Sequence, residues 1–219
     1  MIPYYDDGTV TIYHGDCREI LPTLTADVVV TDPPYGMDWN FTGQGSGSNA
    51  QGGRGSRYSG VTIEGDREDF DPSFLLAFDH VVLWGFHHFP QHLDRGTVLV
   101  WVKKYPDAYG TFLSDADLAW VKGGCGVYLS KPLNPATFQA DRVHPTQKPV
   151  EIMAWSIERA GGTGTVLDPF MGSGSTLRAA KDLGRKAIGI EIEERYCEIA
   201  AKRCSQEVLQ FGVANGARE

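Results

Sequence analysis

The chain has 219 residues, 42% of them hydrophobic and 22% charged, which suits one domain with a real core and argues against disorder. No run approaches the roughly 18 uninterrupted apolar residues of a membrane span, and the opening Met1-Ile2-Pro3-Tyr4-Tyr5-Asp6-Asp7 lacks the basic and apolar regions of a secretory leader. A net charge of −8 weakens long-range attraction to nucleic acid, although a local basic face can still track phosphates.

Thr9 to Tyr13 is β-rich and runs into Gly15-Asp16, after which Cys17 to Leu24 predicts one or two helical turns. Val28-Val29-Val30-Thr31 is an unbroken apolar run, as expected of a strand buried on both faces. Residues 37–66 hold a dense Gly/Ser/Gln stretch with Arg54 and Arg57 and read as a flexible insert. Phe74, Leu75 and Phe78 predict a short amphipathic helix, and His80 to Trp84 and Thr97 to Val102 two more buried strands. Ala116 to Val121 and Gly126 to Leu129 read as a hairpin across Gly123-Gly124. They lie in a stretch, 103–147, whose scattered Lys and Arg suggest a small target-recognition insert.

Pro149 can open a helix with Val150, Met153 and Ile157 on one apolar face, and Gly161-Gly162 stops it. A strand at Thr165-Val166-Leu167, a Gly/Ser turn, a helix to Leu183, a strand from Lys186 to Ile190 and a last helix from Glu193 to Leu209 follow. Such alternation predicts one α/β domain over 1–219, doubly wound around a mostly parallel sheet.

Two places carry chemistry. In Thr31-Asp32-Pro33-Pro34-Tyr35-Gly36 each proline pushes its predecessor toward extended backbone and removes an N–H donor. The result is a stiff turn offering a carboxylate, bare carbonyls and an aromatic ring, a set that suits a nucleobase amine. In Asp168-Pro169-Phe170-Met171-Gly172-Ser173-Gly174-Ser175 a strand passes through a glycine turn into a helix start, and Glu191 follows 19 positions after Gly172 at the next strand end. Gly172 and Gly174 would let a ligand approach the backbone, and an acid at that distance can take ribose hydroxyls. Together these features point to an adenosine-containing cofactor. A dehydrogenase fits poorly, because only 45 residues follow Gly174.

These residues resemble the DNA amino-methyltransferases whose catalytic motif precedes the cofactor motif, the beta group, and the likeness spans nearly the whole chain. Asp32-Pro33-Pro34-Tyr35 is similar to the family's catalytic tetrad and Phe170-Met171-Gly172-Ser173-Gly174 to its cofactor motif. His144-Pro145-Thr146-Gln147-Lys148-Pro149 is similar to its lead-in to the methionine end of the cofactor, and Gly15-Asp16 to its contact with the cofactor adenine. The resemblance implies a Rossmann-like methyltransferase fold, S-adenosylmethionine as cofactor and double-stranded DNA as partner. Asp168 would hold the amino-acid end, Glu191 the ribose and Asp16 the adenine, with Thr146 and Lys148 near the methionine. An Asp in the tetrad goes with adenine N6, a Ser with cytosine N4, so adenine is expected, often beside a restriction nuclease. A homodimer would help so short a chain span a duplex.

Plainer readings compete. Asp32-Pro33-Pro34-Tyr35 alone could be a surface turn, the glycine turn mere packing, and Asp16 a helix cap. Arg54 and Arg57 could be solvated rather than phosphate-bound. His88 and His92 stand four apart, but Pro90 lies between them and no third ligand completes a metal set. Cys17, Cys125, Cys197 and Cys204 lack metal or disulfide spacing, so free thiols in a reduced cytoplasm are expected. The alternatives kept open are a cytosine N4, RNA or protein-amide methyltransferase, and a silent binding module of the same fold.

Overall fold

A computed structural model describes residues 1–36, 69–111, 114–130 and 147–206. The insert expected at 37–66, with Arg54 and Arg57, lies outside the described residues, as do His144 and Thr146. In chain order the elements are β1 (Tyr5–Asp6), β2 (Val10–His14), α1 (Cys17–Ile20), β3 (Val28–Thr31), β4 (His80–Trp84), β5 (Gly96–Val102), β6 (Ala116–Ser130), α2 (Val150–Ala160), β7 (Val166–Asp168), α3 (Ser175–Asp182), β8 (Ala187–Glu191) and α4 (Glu194–Cys204).

The strands form one sheet in the order β1-β2-β8-β7-β3-β4-β6-β5. The run β2-β8-β7-β3-β4 is parallel throughout, and β1 and β6 join its two ends antiparallel. The α/β, mostly parallel reading therefore holds. Alternate residues of the apolar strands feed opposite faces, as the period of two requires. Val28, Val30, Val82 and Trp84 pack with Ile152, Met153, Leu177 and Ala200 of α2, α3 and α4. Val29, Val81 and Leu83 pack on the other face with Ile20, Leu21, Phe70, Leu75 and Phe89. Trp84 and Trp101 belong to the first core, with Trp155 packed against it.

Two local expectations are corrected. The segment expected to be helical around Phe74 to Phe78 is a chain of turns: Leu75 N–H bonds the Pro72 carbonyl and Phe78 N–H that of Leu75, each only three residues back. Asp71 accepts from both the N–H and the hydroxyl of Ser73, which offers the backbone an alternative to a helical ladder. Apolar Leu75 is still buried, so the burial was legible and the period was not.

The residues around Gly123-Gly124 do reverse direction, but the two arms do not pair with each other. The first arm runs antiparallel to β5, with Thr97 opposite Val121 and Val102 opposite Ala116. In the second, partners advance together, Val98 with Val127 and Trp101 with Ser130, so β5 is clasped between the arms. Residues 116–130, assigned from sequence to an insert, are thus part of the main sheet.

Because β2, β8, β7, β3 and β4 share one direction, their carboxyl ends open along one rim. Asp16, Glu191, Asp168, Asp32 and Gly85 all sit at or just beyond those ends. Ligands of open parallel sheets bind at that rim.

Candidate active site

The acceptor corner follows β3. Asp32 is largely buried, with 14% of its side chain exposed, and Pro33 is buried beneath it. Lys148 Nζ donates to Asp32 Oδ2 at 2.7 Å, and the Tyr35 hydroxyl donates to Oδ1. The Tyr35 ring stacks on His88, with centroids 4.7 Å apart and planes 16° from parallel. The chain can bring that ring close only because residue 85 is glycine. Gly85 holds φ +72°, and a Cβ there would overlap the Tyr35 ring. His88 and His92 fall in separate short turns, Phe86–His88 and Pro90–His92, so no helix aligns them.

The glycine turn follows β7, the strand next to β3. Asp168 at its start is 3% exposed and fully engaged. It accepts from the Thr31 hydroxyl at 2.6 Å, from the Thr176 hydroxyl at 2.5 Å and from the Phe170 N–H at 3.1 Å. Burial raises its carboxyl to about 6, against the pull of those donors. The Thr31 bond joins the two motifs side by side. Phe170 sets its ring edge-on to Phe70, with centroids 5.5 Å apart.

Glu191 closes the turn from β8. Its Oε2 accepts the Gly172 N–H at 2.9 Å and its Oε1 the Glu193 N–H at 2.8 Å. Burial dominates here too and lifts the group to about 6. Gly15 N–H reaches the Glu191 carbonyl at 2.9 Å, so the ends of β2 and β8 stay together. Exposed Asp16 caps α1, its Oδ1 accepting the Arg18 N–H at 2.8 Å. The capping weighed from sequence is thus present.

Gly174 serves packing. A Cβ there would come 2.7 Å from Cβ of Ala200 on α4, and the residue holds φ +78°. Its neighbours form a polar chain: Ser173 Oγ donates to Gln147 Oε1 at 3.1 Å, while Arg203 Nη1 donates to Ser173 Oγ and Ser175 Oγ at 3.2 and 3.1 Å. Arg203 and Asp117 were not singled out in the sequence, and Gln147, His88 and Thr31 appeared there without these contacts. Arg203 was findable as a cation on the helix that packs on the glycine turn, the others only through tertiary contact.

Lys148, expected near the methionine, reaches the acceptor corner. Besides Asp32, its Nζ lies 3.7 Å from Asp117 Oδ2 on β6 and 5.4 Å from the centroid of the Trp84 ring. Burial pulls its ammonium down, but the two carboxylates outweigh that and hold it above the usual lysine value. Asp117 is lowered although burial pushes it up, because Lys148 and then Lys103 (2.6 Å away) favour its charge. Cys17 is buried, and that burial pushes its thiol to about 11, away from nucleophilic use. Among the described residues no helix is long and apolar enough to cross a membrane, and no three His, Cys, Asp or Glu gather as metal ligands.

Residues 126–202 match the family described as DNA methylase, of the N6/N4 type. The type II methyltransferase M.ScaI of Streptomyces caespitosus is 27% identical over 94% of this chain and 84% of its own length. The crystal structure of the M1.HpyAVI–SAM complex superposes with a TM-score of 0.53 at 24% identity, over 89% of this chain and 99% of that one. The cytosine-N4-specific PvuII DNA methyltransferase gives 0.58 at 15% identity, over 98% and 90%. With both motif corners on one rim of the sheet, the chain is similar to the N6/N4 family of DNA methylases, whose model matches its residues 126–202.

Proposed function

We propose that the protein transfers a methyl group from S-adenosylmethionine to the N6 amine of adenine in double-stranded DNA, on a base swung out of the helix. The observation that carries this reading is the adjacency of the acceptor corner and the glycine turn on neighbouring parallel strands, tied by the Thr31–Asp168 bond of 2.6 Å.

The donor set suits an adenosine. Asp16 and Glu191 end adjacent strands, giving two carboxylates that accept from an adenine amine and from ribose hydroxyls. Asp168, through the turn it braces, with Phe170, Gly172, Ser173, Gly174 and Ser175, shapes the seat for the amino-acid end; Thr146, expected from the sequence near the methionine, lies outside the described residues. When bound, the cofactor supplies an electrophilic methyl carbon on sulfur.

The chain's own residues do the rest. A base amine cannot be reached inside the stack, so the base leaves it. Tyr35 offers a ring for stacking, a contact worth roughly 1–3 kcal/mol. Asp32 and the Pro33 carbonyl accept the two amine hydrogens, which turns the nitrogen lone pair toward the methyl carbon, and Pro34 stiffens the turn that aims them. As the nitrogen–carbon bond forms and the carbon–sulfur bond breaks, positive charge grows on nitrogen, and the Asp32 carboxylate offsets it. The proton that the methylated nitrogen must shed then passes to solvent water.

Expression in a host without DNA methylation, followed by mass spectrometry of the hydrolysed genome, tests this. N6-methyladenine is expected; N4-methylcytosine would replace adenine as the target, and neither would sink the reading. Asp32→Ala should abolish the signal with the fold intact.

A further inference from the structure

We infer that Lys148 is a positioning residue for the acceptor carboxylate, anchored by Asp117, and not a contact of the cofactor. The inference rests on the proposed amine methylation at Asp32.

Lys148 has 7% of its side chain exposed, and a buried ammonium persists only where its donors are used. Its Nζ sits 2.7 Å from Asp32 Oδ2 and 3.7 Å from Asp117 Oδ2, with the Trp84 ring 5.4 Å away. These contacts aim the head group at the acceptor corner. The residue beside it does face the glycine turn: Gln147 Oε1 takes the Ser173 hydroxyl at 3.1 Å. Gln147 and Lys148 thus divide the two motifs between them.

A carboxylate that must aim a lone pair needs a fixed rotation about its own bonds. Lys148 clamps Oδ2, which leaves Oδ1 to receive the base amine. In the structure Oδ1 holds the Tyr35 hydroxyl, and an arriving amine displaces that hydroxyl as the ring turns to the base.

The clamp raises an electrostatic problem. An ammonium beside Asp32 opposes the positive charge that develops on the amine. Asp117 answers it: it shares the Lys148 ammonium with Asp32, so that positive charge does not fall on the acceptor carboxylate alone. Lys103, 2.6 Å from Asp117 on its outer side, holds that carboxylate in place.

Three variants of the full chain test the assignment, with cofactor affinity by calorimetry, single-turnover methyl transfer to DNA and thermal melting measured for each. Lys148→Met should slow transfer about 100-fold, the usual cost of misplacing a reacting group by an ångström, and leave cofactor Kd within about twofold. Asp117→Asn should slow transfer roughly tenfold, again at unchanged Kd. Lys148→Arg, which keeps charge and donors, should recover to within about tenfold of the parent rate.

A Kd weakened tenfold or more with transfer rate retained would make Lys148 a cofactor ligand and overturn the inference. So would parent-like transfer in Lys148→Met, or losses of rate, affinity and melting temperature in parallel. If Lys148→Met does not fold, Asp117→Asn and Lys148→Arg decide by the same criteria. A parent protein that binds cofactor but methylates no DNA would sink the functional reading itself; a working parent with indifferent variants would sink only the clamp.

Discussion

Thr31 and Asp168 stand 137 positions apart in the chain and 2.6 Å apart in space, hydroxyl to carboxylate. Thr31 immediately precedes the acceptor Asp32, and Asp168 opens the glycine turn, so one bond sets the spacing of the two halves of the site. Thr31→Val keeps shape and volume while removing the donor. It should lower stability by about 1–3 kcal/mol, the cost of leaving a buried polar group short of a partner. Denaturant unfolding measures that loss. Transfer rate should fall beyond what the stability change explains, because Asp32 is no longer held in register with the turn.

Acidification should weaken cofactor binding through Glu191. Its carboxyl stands at about 6 in the folded protein, above its ordinary 4.5. In its proposed role as acceptor for ribose hydroxyls it works best ionised, so Kd for the cofactor should rise as pH falls below about 6 and be nearly flat above 7. Stability runs the other way. A carboxyl raised on folding takes up a proton more readily folded than unfolded, so its contribution is present below about 4.5 and fades as pH climbs through about 6. Glu191→Gln should flatten both profiles; a pH-independent Kd in the parent would exclude the role.

Gly85→Ala should impair transfer without touching cofactor affinity. The added Cβ would displace Tyr35 from its seat against His88 and from the Asp32 carboxylate. A shift of about one ångström at the acceptor corner predicts on the order of 100-fold slower transfer. Single-turnover rates against calorimetric Kd separate the two effects.

At Gly174 the penalty should appear in stability. Gly174→Ala forces an L-residue into left-handed backbone, at about 1–2 kcal/mol, and drives its Cβ to 2.7 Å from Ala200 Cβ. Helix α4 must then withdraw from the turn, taking Arg203 away from Ser173 and Ser175. Thermal melting should drop by several degrees, and Ala200→Gly in the same chain should restore part of it.

What the sequence showed and what it hid divide along a physical line. The strands Val28–Thr31, His80–Trp84 and Val166–Asp168 were legible because burial on both faces demands unbroken apolar runs. The rim position of Asp32, Asp168 and Glu191 followed from parallel strands alone. The clasp of β5 by β6 was not legible, since a glycine pair announces a reversal but not which strand will lie between its arms. Lys148 was read by its neighbours in the chain, whereas its partner is 116 residues away. One cue was available: a lysine leading directly into a strongly apolar helix is headed for burial and needs a counter-charge. Gly174 matched a ligand-binding pattern, yet the space its missing side chain leaves is filled by α4, a contact no local pattern encodes.

The placement of β7 between β3 and β8 also shapes how the protein is born. As the chain leaves the ribosome, β3 emerges with one flank awaiting a strand that begins 135 residues later, at Val166. At the usual 5–20 residues per second that wait lasts on the order of ten seconds. For all of it, an apolar edge built from Val28, Val29 and Val30 is open to wrong partners. A message broken before that point yields a polypeptide that holds the tetrad, has nothing to brace it, and is primed to aggregate.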